Sequence, residues 1–148
     1  MRTRRLTTTG LAALGTTVAL AATAAAAGSP TISSLKATQS GKAVVVTVAT
    51  KNFTIDAKDV GKKPIAGKGH EHFAMDKGKY DYEKYSGANG KLAKQLGVEG
   101  KYSPSVTNKV TYTGLPTGKH TVTVYLVRND HTNYPNASAK KTITFTVK

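Results

Sequence analysis

Residues 114–131 read G-L-P-T-G-K-H-T-V-T-V-Y-L-V-R-N-D-H, and this stretch decides the fold. After Lys119, Val122, Val124 and Leu126 alternate with Thr121, Thr123 and Tyr125. That period belongs to a β-strand with one face on a core and the other in water. Leu115-Pro116-Thr117-Gly118 supplies turn chemistry before the strand, and Asn129-Asp130-His131 forms a polar stop after it.

Working outward, the same pattern recurs in short pieces. Strands are expected over residues 31–38 and 42–51, the latter central because of its continuous valines (Val44, Val45, Val46, Val48). A short strand is expected at 53–57, another at 107–113, and a last one at 141–148 with Ile143, Phe145 and Val147 inward. Gly69-His70-Glu71-His72-Phe73-Ala74-Met75-Asp76 reads as a strand with Phe73 and Met75 on the core face. His70, His72 and Ala74 then share the other face, which the pattern makes a wet one. Residues 77–105 break the rhythm. They are rich in glycine, lysine and tyrosine (Tyr80, Tyr82, Tyr85, Tyr102), with one helical turn expected at 91–96, and they read as a long, mobile loop insertion. Short strands, turn signals and no long helix predict an all-β antiparallel sandwich of immunoglobulin or fibronectin type, with a closed barrel as the alternative.

Residues 1–27 have the makeup of a signal peptide: Arg2, Arg4 and Arg5, a weakly apolar run, then Ala25-Ala26-Ala27 before Gly28. Thr7 and Thr8 stand where a twin-arginine signal wants apolar residues. The expected mature chain is a single domain over 28–148, secreted or extracytoplasmic, not membrane-spanning, and a monomer. Without the three leader arginines the formal charge falls from +14 to +11. Lysine carries that charge almost alone, with Arg128 the single remaining arginine. Scattered lysine is poor equipment for bidentate phosphate and base contacts, so nucleic acid is not expected as a partner. The charge would instead attract an anionic cell-envelope polymer through salt-sensitive steering, or serve simple solubility, the reading that scattered surface lysine favours. The absence of cysteine excludes disulfides, thiol catalysis and thiolate metal sites.

Asn52-Phe53, the G-x-G-H-x-H-F run of residues 67–73 with Asp76, G-L-x-x-G-x-H-T-V at 114–122 and N-D-H at 129–131 together resemble a group of secreted bacterial immunoglobulin-like domains of uncharacterised function. The resemblance spans most of residues 31–148. It implies the sandwich and draws attention to the histidines.

No Ser-His-Asp order, paired-carboxylate motif or phosphate-binding loop is present, and no enzymatic activity is expected. The concentrated chemical signal is histidine. Alternate residues of a strand project to one side about 7 Å apart, near enough for His70 and His72 to meet one metal ion. In an immunoglobulin-like sandwich the H-E-H strand lies antiparallel beside the 119–128 strand, which brings His131 and Asp130 to the pair and leaves His120 at the far end. Asp130 or Glu71 is expected to complete the shell or to orient an imidazole. Three imidazoles suit copper(II) or zinc, and binding by ordinary imidazoles should fade below about pH 6. His72→Ala is expected to remove that affinity with little effect on folding. His120 is expected to lean inward and hydrogen-bond a carbonyl within residues 114–117. Two other readings stay open: an adhesion or carbohydrate-binding module using the tyrosines and the basic surface, and a purely structural domain.

Overall fold

The computed structural model describes residues 28–81 and 102–148, so the leader and the helical turn expected at 91–96 lie outside the described residues. Eight strands are found among them: β1 (Thr31–Ser40), β2 (Ala43–Lys51), β3 (Thr54–Ile55), β4 (Lys68–Met75), β5 (Ser103–Ser105), β6 (Lys109–Thr113), β7 (Gly118–Arg128) and β8 (Lys140–Val147). They form two sheets. One has the order β1-β2-β6, the other β3-β4-β7-β8 with β5 also paired to β4. Setting aside the two short edge strands β3 and β5, this is the partition of an immunoglobulin-like sandwich. The strand read as central is central, β2 lying between β1 and β6, and β7, with the clearest alternation, lies between β4 and β8.

Two details differ from the expected architecture. β3 pairs with β4 in parallel, so the second sheet is mixed. Residues 103–105, assigned to the loop insertion, are a strand on the edge of β4, with His72 opposite Pro104. Pro104 there has no N–H to donate, which an edge position tolerates.

The core forms between the sheets from the alternating residues. Val44, Val46 and Val48 of β2, Val110 and Tyr112 of β6, Phe73 and Met75 of β4, and Val122, Val124 and Leu126 of β7 are all buried. Burying each such aliphatic or aromatic side chain contributes roughly 1.5–3 kcal/mol, a necessary source of stability in a chain with no disulfide. Val147 is buried with them, and Ile143 and Phe145 pack half-buried at the margin.

Two buried polar groups lock the ends of the strands. Asp81 accepts hydrogen bonds from the Met75 N–H, Ser103 Oγ and Tyr112 Oη, each at 2.7 Å. It thereby joins β4, β5 and β6, across both sheets. His120 faces the core end as expected: Nε2 lies 2.8 Å from the Pro116 carbonyl oxygen. Its Nδ1 lies 2.7 Å from Asp76 Oδ2, and the other oxygen of Asp76 accepts the Thr121 N–H at 2.7 Å. Both ring nitrogens meet acceptors, so both bonds form at once when each nitrogen carries a proton. Asp76 was not anticipated as this partner; it follows Met75 directly and holds a left-handed backbone (φ 47°) that turns its carboxylate onto β7. Replacing His120 by alanine should cost about 1–3 kcal/mol, measured by urea unfolding, while any metal affinity of the folded fraction stays unchanged.

Candidate metal centre

β4 and β7 run antiparallel with Gly69 opposite Arg128, His70 opposite Val127 and His72 opposite Tyr125. The start of one strand therefore meets the end of the other. Gly69 makes the close approach possible, because a Cβ there would collide with the Val127 carbonyl. Past Arg128 the chain turns back tightly: the His131 N–H donates to the Arg128 carbonyl at 3.0 Å, and the Arg128 N–H to the Thr132 carbonyl at 2.8 Å. The turn holds His131 in the left-handed region (φ 68°), a conformation that histidine tolerates better than most side chains but that still costs energy. Its effect is to bring the His131 ring onto the outer face of β4.

Three imidazoles meet there. Their ring centroids are 4.9 Å (His70–His72), 4.6 Å (His70–His131) and 5.9 Å (His72–His131) apart. One ligand nitrogen from each can be chosen so that all lie within 4.8 Å of one another. His70 Nε2 and His72 Nε2 are 3.0 Å apart. Two nitrogens on one tetrahedral zinc, each at about 2.0–2.1 Å, would be ~3.3 Å apart, so a small rotation of the rings reaches that geometry. The cluster could hold a metal ion.

The face carrying it is not wet, which corrects the expectation of surface histidines. His70 is fully buried and His72 is 5% exposed. His72 stacks on Tyr102 at 5.2 Å on one side and lies nearly parallel to His131, at 13°, on the other. Period two placed the pair on the outer face correctly; it could not show that Tyr102 and the 128–132 turn close over that face. This enclosure also leaves atoms without partners. Among the described residues, His70 Nδ1 and both ring nitrogens of His131 are buried and make no hydrogen bond.

Burial sets the charge. Desolvation, with repulsion from His72 and His131 second, holds His70 down at about 3. Desolvation and then His131 hold His72 at about 4. His131 is also lowered by desolvation, partly opposed by Asp130. All three rings are thus neutral near pH 7, the form that binds metal.

Neither of the two acids expected to complete the shell is among the clustered ligands. Asp130 is not one of the clustered ligands; its Oδ1 accepts from the Thr132 N–H at 3.1 Å and from Thr132 Oγ1 at 2.6 Å, which closes the turn. Glu71 points to the opposite face, toward the core with Phe73, because it alternates with the two histidines. It is fully buried with neither oxygen hydrogen-bonded among the described residues, and desolvation pushes its carboxyl up to about 8. It is a neutral acid in the interior and orients no imidazole. Tyr102 is the neighbour that residue spacing missed; the clue was Ser103-Pro104-Ser105 after it, a short polar strand that carries the tyrosine to β4.

Fold and site together define an all-β sandwich with a three-histidine cluster that could hold a metal ion. No family model, curated protein or solved structure matches the chain. No helix among the described residues is long and apolar enough to cross a membrane.

Proposed function

We propose that the protein is an exported, non-enzymatic binder of a divalent transition metal, copper or zinc, held by His70, His72 and His131. The observation that carries this reading is the convergence of three imidazole nitrogens within 4.8 Å in a site where burial keeps the rings unprotonated. Such packing of histidines is unfavourable without an ion: the rings lose hydration, and several nitrogens gain no hydrogen bond in return. An ion replaces those lost bonds with three N–metal bonds, and a water or exogenous oxygen can take the fourth place. An all-nitrogen set suits copper(II) and zinc better than magnesium or calcium. Export rests on the composition of residues 1–27, and the non-enzymatic reading on the lack of a nucleophile-base or paired-carboxylate motif in the sequence.

The test is a zinc and copper titration of the metal-free protein by calorimetry, with the histidine ring resonances followed for zinc. One ion per chain is expected, moving the signals of His70, His72 and His131 and leaving His120 in place. Zinc at about a hundred times its dissociation constant should add about 2.7 kcal/mol to the unfolding free energy. Shifts confined to exposed carboxylates, or no saturable binding at neutral pH, would reject the reading.

A further inference from the structure

The outer face of the second sheet carries a groove that the histidine cluster does not use. Its floor is set by register: Ala74 of β4 lies beside Thr123 of β7, and Thr123 beside Thr142 of β8. These small side chains leave a depression that crosses three strands, while larger neighbours stand up around it. On the β4 side is a hollow of about 290 Å3 lined by Ala74, Lys77, Tyr102, Thr123 and Tyr125. On the β8 side is one of about 480 Å3, with Tyr125, Tyr134, Pro135, Lys140, Lys141 and Thr142 in its wall. Tyr125 belongs to both. Beside it Thr123 of one hollow and Thr142 of the other share a hydrogen bond between their Oγ1 atoms at 2.9 Å, so the two hollows are neighbours on the sheet.

The chemistry of the groove is specific in sign and in shape. Among the described residues neither hollow has an acidic residue in its lining, and lysines stand at both ends, Lys77 on one side and Lys140 on the other, while Lys141 turns its Nζ to the Ser33 carbonyl of β1. Lys140 Nζ lies 5.1 Å from the Tyr125 ring centre, and Tyr102 meets Tyr125 edge to face at 6.0 Å and 83°. Half-buried tyrosines offer a flat apolar surface with a polar rim, which fits the C–H face of a pyranose ring. Threonine hydroxyls on the floor match sugar hydroxyls, and the terminal ammonium groups match carboxylates. Stacked nucleobases fit less well, since the two rings stand perpendicular and offer no parallel platform for successive bases.

We infer that this groove binds an extended acidic polysaccharide of uronate type, lying across β4, β7 and β8 with a pyranose ring against Tyr125 and carboxylates at Lys77 and Lys140. The inference stands apart from the metal reading, and its test is run in the presence of a chelator so that the two fail separately. Oligogalacturonate, a neutral cello-oligosaccharide and a single-stranded oligonucleotide are each titrated into the full chain at about 0.15 M salt, with backbone amide shifts recorded. Oligogalacturonate should bind with shifts concentrated at Thr123, Tyr125 and Thr142, and more tightly than the other two. Tyr125→Ala should weaken it about tenfold, and Lys77→Glu with Lys140→Glu, both at exposed positions, should weaken it at least as much. Tighter binding of the oligonucleotide, shifts spread evenly over the lysine surface, or an affinity unchanged in the lysine variant would each overturn the proposal.

Discussion

Replacing His72 with alanine is expected to lower zinc or copper affinity on the order of a hundredfold or more, since loss of a mere outer-shell partner already costs 10–100-fold. His72 is the middle ring of the cluster, stacked near-parallel on His131 and in contact with His70 through its Nε2. Its removal leaves two imidazoles, one on the buried strand and one on the turn. The expectation of an intact fold does not survive the burial of this side chain. A ring that fills the space between Tyr102 and His131 leaves a cavity when deleted, at a cost of roughly 1–3 kcal/mol. His72→Phe separates the two effects: it keeps the aromatic packing and supplies no nitrogen. Calorimetry should find that both variants have lost the metal, while urea unfolding should find only the alanine variant markedly destabilised. Metal affinity retained by the phenylalanine variant would remove His72 from the site.

The second large effect is a stability curve that falls on both sides of about pH 6. His70 and His72 have folded pKa values of about 3 and 4, below the ordinary 6.5. Their contribution is complete above 6.5 and is lost as the pH falls, because the unfolded chain takes up protons that the folded site refuses. Glu71 and Asp81 act in the opposite sense. Burial raises them to about 8 and about 6 from ordinary values of 4.5 and 3.8. Their contribution is complete below those ordinary values and is lost as the pH rises, because the unfolded chain releases protons that the folded interior retains. The four effects partly cancel, and the net loss should be about 1 kcal/mol by pH ~3.5 and again by pH ~8.5. Urea unfolding across this range measures it. Glu71→Gln should flatten the alkaline limb and steepen the acid limb, which Glu71 otherwise partly offsets above its ordinary value of 4.5. Saturating zinc should raise the whole curve above about pH 5 without changing its shape, since the bound rings are already neutral there. Metal binding by the folded protein should therefore persist below the pH ~6 expected for ordinary imidazoles.

The alternation of valine with threonine carried most of the fold. Residues 119–128 and 42–51 can bury one face only as strands, and their apolar faces are the ones that meet in the core. β5 was missed because three residues of Ser-Pro-Ser carry no periodicity, and its pairing comes from the neighbouring edge of β4. The histidine spacing was equally readable: H-x-H on a strand, beside the antiparallel end of β7, brings the pair next to the turn that carries His131.

What the sequence determined by itself was thus which residues share a face and which strand ends coincide, because a period of two and an antiparallel register are local properties of the chain. What only the tertiary structure decided was the environment of that face. Tyr102 arrives from beyond residues 82–101, and the left-handed turn at His131 folds back over β4, so three side chains expected in water become an uncharged cluster, His70 and His72 buried and His131 half-buried. Glu71 and Asp130 fall away from it for the same reason: strand alternation sends one into the core, and the hydrogen bonds of the turn hold the other on Thr132. Desolvation acts through whatever packs around a group in space, and no local pattern of residues records it.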